Sequence, residues 1–217
     1  MTEAPPTRVF GRRKGRPLRV RKAMLMDEFL PRVQLVLREG EKLEVTAPLV
    51  LEIGFGGGEH LAAQAKLHPE THFIGCEPFV NGVASLLDHL EREKIENVRV
   101  FNDDARLVLD ALPPASLERC FVLFADPWPK SRHAERRFIG PENLPRLARA
   151  IKKGGVLRLA SDHPGLVAWM RESLTGHADF TCIYDSSTPP PDWVPTRYQE
   201  KAIAAGRTPF FMDYRRN

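Results

Sequence analysis

The densest chemical signal in the sequence is Asp126-Pro127-Trp128-Pro129-Lys130, directly after the apolar run Phe121-Val122-Leu123-Phe124-Ala125. The run reads as a buried central strand. Pro127 and Pro129 admit no continuing strand or helix, so the chain must turn out of the sheet at Asp126. In an open α/β sheet, ligands bind at the carboxyl ends of strands. One carboxylate, one indole and one ammonium are therefore expected together at the reactive edge. Trp128 can stack on a base or shape its pocket, and Lys130 can meet a phosphate or a base acceptor. Arg132, His133, Arg136 and Arg137 follow, with one acid, Glu135, among them. That basic cluster suits a nucleic-acid backbone, and its plainer reading is a solvated loop.

A second signal, Leu51-Glu52-Ile53-Gly54-Phe55-Gly56-Gly57-Gly58, lies between a strand-like and a helix-like run. Glycines there let the backbone turn sharply and approach a ligand closely. Spacing alone does not separate the many nucleotide-binding folds that share such turns. The surrounding acids say more. Glu52 precedes the first glycine by two residues, and Glu77 ends the next strand, where a carboxylate can accept hydrogen bonds from two ribose hydroxyls. No Gly-Lys-Ser/Thr follows, which argues against a P-loop, and no basic residue stands in the loop to meet a pyrophosphate. Acids without cations suit a ligand bearing an ammonium and a sulfonium, which favours S-adenosylmethionine over NAD. Asp104, in Asn102-Asp103-Asp104-Ala105, can bond an adenine amino group or simply cap a helix N-terminus. Asp162, in Ser161-Asp162-His163, faces the same crevice or caps the next helix. Thr196-Arg197-Tyr198-Gln199-Glu200-Lys201 offers groups for a guanine edge, or is only a polar helix start.

These residues need a scaffold, and the apolar spacing predicts one. Strands are expected over 49–53, 72–76, 98–101, 119–125 and 156–160. Helices are expected over 59–67, 81–94, 105–112 and 166–174, with another over 142–152 closed by Gly154-Gly155. A helix broken or started near Pro31 is expected within 24–37. Such alternation implies βαβ units and a largely parallel sheet. Strands over 180–184 and 210–214 break the alternation and can pair antiparallel at one edge, with a Pro-rich loop, 188–195, after the first.

The 217 residues suit one domain with a tail. Arg8, Arg12, Arg13, Lys14, Arg16, Arg19, Arg21 and Lys22 carry no acid among them. Removing these eight and Glu3 from the 32 basic and 28 acidic residues leaves 24 against 27, so the positive excess lives in the first 22 residues. Gly11, Gly15 and Pro17 argue against a helix there. The expectation is a flexible basic arm, 1–22, before a single domain, 23–217; the arm attracts a polyanion or merely solubilises. Cys76, Cys120 and Cys182 sit singly in strand-like runs without metal spacing, and read as small core residues in a reducing cytosol. No apolar run is long enough to cross a membrane and no secretory signal opens the chain, so a cytoplasmic protein is expected. A monomer and a homodimer are both compatible with these features.

Taken together, these motifs resemble the bacterial tRNA (guanine-N7-)-methyltransferases. The resemblance covers nearly the whole length after the arm. It rests on Leu51-Glu52-Ile53-Gly54-Phe55-Gly56, Gly75-Cys76-Glu77, Asp104-Ala105, Phe124-Ala125-Asp126-Pro127-Trp128-Pro129-Lys130, Ser161-Asp162 and Thr196-Arg197-Tyr198. The Asp-Pro-Trp-Pro-Lys element followed by the Arg-rich stretch is close to diagnostic. The resemblance implies a Rossmann-like class I methyltransferase fold, a mostly parallel sheet with an antiparallel edge strand and helices on both faces. It implies methyl transfer from S-adenosylmethionine, with S-adenosylhomocysteine as co-product and no metal, to N7 of the variable-loop guanine of tRNA. By position, Glu52, Gly54, Gly56, Glu77, Asp104 and Asp126 would line the cofactor site, with Asp126 also catalytic. Lys130, Asp162 and the segment Thr196, Arg197, Tyr198, Gln199 and Glu200 would contact the guanine or RNA, and Arg132, Arg136 and Arg137 its backbone. Where the family has an acid, this chain has Gln199 with Glu200 next, so either residue is left to meet the guanine edge. Pro78-Phe79 after Glu77 is a second departure, with no functional consequence expected. Two other classes stay open: a methyltransferase acting on protein or a small molecule, and an RNA-binding protein with an inactive cofactor pocket.

Overall fold

The computed structural model describes residues 10–217, and among them seven strands form one sheet. They are β1 (Leu49–Ile53), β2 (His72–Cys76), β3 (Val98–Phe101), β4 (Leu117–Leu123), β5 (Ile151–Ser161), β6 (Phe180–Ser186) and β7 (Phe210–Arg216). The order across the sheet is β3-β2-β1-β4-β5-β7-β6. The first five strands are parallel to one another. β7 runs antiparallel to both β5 and β6, so the antiparallel strand lies one place in from the edge and β6 is the edge itself. β1 is buried at every residue, which is why its sequence is an almost unbroken apolar run rather than an alternation.

Helices cover both faces. On one, α3 (Glu59–Leu67) and α4 (Val80–Glu93) pack with Val50, Phe73, Val98 and Phe121. α4 buries Val83, Leu86, Leu87 and Leu90 almost completely; each such side chain is worth about 1.5–3 kcal/mol of transfer free energy. The other face carries α5 (Ala105–Ala111), α6 (Leu144–Ala150) and α7 (Pro164–Leu174), packed on Leu51, Ile53, Ile74 and Val122. α8 (Arg197–Ala204) stands between β6 and β7 in sequence.

Several expectations are corrected. The helix expected over 142–152 ends at Ala150, and Gly154-Gly155 is not its C-cap. Ile151 already pairs with Leu117; the register then jumps, so that Arg119 meets Val156, and Gly154 takes φ 80° inside the resulting irregularity. The glycines serve a bulge, where a left-handed backbone is needed as it is at a helix end. The helix expected over 24–37 begins earlier, as α1 (Val20–Met24), passes through a π-helical turn (Leu25–Phe29) and ends as α2 (Leu30–Val33). After it Leu35 donates to the Val100 carbonyl along β3. Cys76 and Cys120 are buried, but Cys182 is exposed on the edge strand and is no core residue.

Arg8 lies outside the described residues. From Phe10 on, the basic segment runs against the start of α4: Val80 N donates to the Arg13 carbonyl, Gly15 N to Asn81 Oδ1, and Asn81 Nδ2 to the Arg16 carbonyl. Arg21 pairs with Asp88 and Glu91 on α4 at 2.8 Å each, and Lys22 Nζ donates to Ser85 Oγ. Arg12, Arg13, Lys14, Arg16 and Arg19 are exposed. No helix among the described residues is long and apolar enough to cross a membrane.

Candidate active site

A cavity of about 340 Å³ opens where β1, β2, β3 and β4 all end. Its floor is the glycine turn between β1 and α3. Gly54, Gly56 and Gly58 have φ of 74°, 57° and 81°, a left-handed region that costs other residues about 1–2 kcal/mol. A Cβ at Gly54 would meet no atom within 4 Å, so the absent side chain keeps the cavity clear. Close packing explains Gly82: a Cβ there would lie 2.2 Å from the Gly56 carbonyl oxygen.

Glu77, at the end of β2, ties this turn to α4. Its carboxylate accepts from Gly56 N at 2.8 Å and from Phe79 N at 2.9 Å. Burial pushes its pKa up, the charges of Asp126 and Glu52 add to this, and the two backbone N–H bonds oppose it. A carboxylate has about four lone-pair directions, so Glu77 keeps acceptor capacity toward the cavity. Asp104, after β3, caps α5 by accepting from Arg106 N, and also takes the Arg106 guanidinium at 2.7 Å. The helix-capping alternative is therefore realised, and Asp104 still lines the cavity.

Asp126 is exposed at the mouth, as expected, but β4 ends at Leu123 rather than running to residue 125, so the chain leaves the sheet at Phe124. The backbone on either side of it is strained: Phe124 has φ 52° and Trp128 φ 41°. Such conformations persist only where the surroundings enforce them. Phe124 N donates to the Ala160 carbonyl on β5. Arg137 donates to the carbonyls of Pro127 and Trp128 at 3.1 Å each, and its guanidinium lies 4.9 Å from the centre of the Trp169 ring. Arg137 is thus turned inward, holding the loop rather than facing outward with Arg132.

The other expected residues divide. Gly54, Gly56, Glu77, Asp104, Asp126, Tyr198, Arg136 and Arg137 share the cavity wall, whereas Glu52 does not. It is buried behind the turn, with Oε2 2.7 Å from His60 Nδ1. Lys130 and Arg132 are exposed and are not part of the cavity wall. Asp162 pairs with Arg207 and caps nothing; His163 caps α7 instead. Thr196 caps α8 by accepting from Gln199 N. Arg197 and Glu200 are exposed on its first turn. Gln199 Oε1 accepts from Trp193 Nε1 at 2.6 Å. Tyr198 lies across the glycine turn, so close that a Cβ on Gly56 would come within 2.9 Å of its ring. Burial, with Glu77, Asp126 and Glu59 beyond it, pushes the Tyr198 hydroxyl up and keeps it a donor.

Sequence reasoning missed part of the wall. Phe10, Gly11 and Arg12 roof the cavity. The Arg136 guanidinium sits between two aromatic rings, 5.2 Å from Phe10 and 5.1 Å from Trp128. Nothing local in the arm signals this, because the partner residues lie more than a hundred positions away. Arg106 and Asn143 also line the cavity; the adjacency of Arg106 to Asp104-Ala105 was the available hint.

Comparison with known proteins agrees with this geometry. Residues 46–212 match the family model described as "Putative methyltransferase". A tRNA (guanine-N(7)-)-methyltransferase of Paramagnetospirillum magneticum is 49% identical, over 96% of this chain and 92% of its own. One from Rhodospirillum rubrum is 46% identical, over 100% and 91%. Among solved structures, an rRNA methylase from Streptococcus thermophilus superposes with a TM-score of 0.54 at 14% identity, over 92% of this chain and 99% of that one. The 16S rRNA methyltransferase KamB gives 0.58 at 15% identity, over 78% and 88%. The two structures share the fold, and the relatives share the sequence along nearly its whole length: the chain belongs to the tRNA (guanine-N(7)-)-methyltransferase family.

Proposed function

We propose that this chain transfers the methyl group of S-adenosylmethionine to N7 of the variable-loop guanine of tRNA. The reading is carried by one arrangement, three carboxylates in the cavity wall with a rim of exposed cations on the segments that flank it. Glu77, Asp104 and Asp126 line the cavity. Arg12, Lys14 and Arg16 from the N-terminal segment, with Lys130 and Arg132 beyond the Asp126 loop, are exposed. A positively charged cofactor suits these carboxylates, and a phosphate backbone suits the rim.

The donor set fits the cofactor. Glu77 and Asp104 would hold its ribose hydroxyls and adenine amine, the bare Gly54 turn admits close approach, and the carboxylates of Glu77 and Asp126 favour a cation. When bound, S-adenosylmethionine supplies an electrophilic methyl group on a sulfonium. Guanine N7 carries an unshared pair in the ring plane, so no proton leaves before attack and no side chain is needed as a general base. The protein's work is then placement and negative charge near a base that becomes cationic. Asp126, held at the mouth by a strained and braced loop, supplies that charge. N7 faces the major groove of a helix, so the guanine has to be presented from a loop or extruded.

The test is transfer of labelled methyl from S-adenosylmethionine to unmodified tRNA, with the product mapped by the chain cleavage that N7-methylguanine permits. Cleavage at a variable-loop guanine, lost with Asp126→Ala while the melting temperature holds, is the expected result. Label without that cleavage moves the target atom. Normal turnover in Asp126→Ala removes the central residue from the mechanism.

A further inference from the structure

The Pro-rich segment before α8 carries a side chain that neither the cavity nor the motifs account for. Trp193 is half-buried on the α3 side of the sheet, its ring 4.7 Å from that of Phe211 and 6.0 Å from that of His60. His60 is itself fixed from below. It bonds Glu52, two residues before Gly54, and both side chains are only 4% exposed. The residue before Trp193 is anchored as well: the Asp192 carboxylate takes Arg158 at 2.7 Å and Arg119 at 2.8 Å, from β5 and β4. Arg158 is in turn paired with Asp213 on β7. The one donor of the indole goes to Gln199 Oε1 at 2.6 Å.

This hydrogen bond helps to set how the start of α8 is rotated. Gln199 is the third residue of the helix by its Thr196 cap, and neighbouring helical residues point about 100° apart. With Gln199 drawn inward to Trp193, Tyr198 is directed across Gly56. Fully buried Ala202, one turn on along the same face, turns that side of α8 inward as well, and the indole bond fixes its first turn, where the cap and the exposed polar residues do not.

We infer that Trp193 is a positioning residue, which through Gln199 holds α8 in register with the glycine turn, and that Gln199 is its partner rather than a contact to the guanine edge. This rests on the function proposed above, because the two segments it joins are those assigned to base and cofactor. It also accounts for the departure at 199: the position has to offer an acceptor oxygen to an indole, which an amide does as well as a carboxylate.

The experiment compares Trp193→Phe, Gln199→Leu, Gln199→Glu and the double variant Trp193→Phe/Gln199→Leu with the full chain. It measures KM for tRNA, S-adenosylmethionine affinity, and amide hydrogen exchange across residues 196–204. Trp193→Phe and Gln199→Leu should each raise the tRNA KM about three- to tenfold, as loss of one hydrogen bond allows. Cofactor affinity should hold, and exchange in 196–204 should quicken. The double variant should be no worse than either single, and Gln199→Glu should behave as the parent. Unchanged exchange in Trp193→Phe, additive losses in the double variant, or a Gln199→Glu as impaired as Gln199→Leu each overturns the inference. Exchange is read without turnover, so a parent chain that methylates no tRNA overturns the proposed function while the strut is still decided.

Discussion

Replacing Arg137 by alanine should separate stability from catalysis. The guanidinium makes two hydrogen bonds to the carbonyls of Pro127 and Trp128 and stacks on Trp169. Bonds from a charged donor contribute about 1.5–3 kcal/mol each, and a cation over an indole about 1 kcal/mol, so the direct loss is about 4–7 kcal/mol. Against this stands the strain it enforces. Phe124 and Trp128 sit at φ 52° and 41°, and release of two left-handed residues returns about 2–4 kcal/mol. The net cost is about 2 kcal/mol, within the 5–15 kcal/mol by which domains are stable. The variant should fold, with its melting temperature lowered by about 4–8 °C, at about 2–4 °C per kcal/mol for this size. Catalysis should suffer far more. Asp126 lies between the two strained residues, and a displacement of about 1 Å in a positioned group costs about a hundredfold. Single-turnover methyl transfer with saturating cofactor and tRNA, beside a thermal melt, reads both. Arg137→Lys should rescue poorly, because a point-like ammonium cannot reach two carbonyls with the geometry of a planar fork. A kcat within twofold of the parent, or a chain that no longer folds, would refute the reasoning.

Other consequences can be checked singly. Neutralising Arg12, Lys14 and Arg16 together should weaken tRNA binding and flatten its salt dependence, by up to about 0.7–0.9 in log–log slope for each phosphate that is no longer neutralised; an unchanged slope in filter binding would remove the rim from the interface. Gly56→Ala should abolish activity with only moderate destabilisation, since its φ is 57° and its Cβ would press on the Tyr198 ring at 2.9 Å; near-normal turnover would show that Tyr198 is not required where it lies. Asp192 should leave a mark in acid. Burial alone would raise its pKa, but the Arg158 and Arg119 bonds outweigh burial and hold it at about 2, below the ordinary 3.8. A depressed carboxyl contributes stability that is complete above its unfolded value and fades as pH falls through the folded one. The contribution is screened because Asp192 is half exposed. Urea melts of Asp192→Asn should therefore differ from the parent above about pH 4 and converge with it toward about pH 2; a constant offset across that range would contradict the pairing.

Much of the scaffold was legible locally. Strands 49–53, 72–76 and 98–101 and helix 59–67 have the bounds their apolar spacing predicts, because a residue's place on a buried strand or helix face is written in its near neighbours. The ends of those strands carried the acids, and the rule that ligands bind there brought Glu77, Asp104 and Asp126 to one cavity. Where local signals have two physical uses, the sequence could not choose. A Gly-Gly pair closes a helix or relaxes a bulge, and the pairing of Ile151 with Leu117 selected the bulge. Arginines beside a motif can meet phosphate or brace a loop, and the carbonyls of Pro127 and Trp128 claimed Arg137. Glu52 could face the ligand or the core, and a histidine eight residues later drew it behind the turn.

The sequence by itself determined the chemistry on offer: which acids, glycines and cations exist, and at which strand ends they emerge, since these depend on short-range pattern alone. Only the tertiary structure decided which of them are available. Whether a carboxylate, an amide or a guanidinium faces the cavity or is held by another residue depends on partners that the fold brings together, tens of positions apart for Arg158 and Asp192 or Phe10 and Arg136 and six apart for Trp193 and Gln199, and the apolar pattern around any one residue carries no record of them.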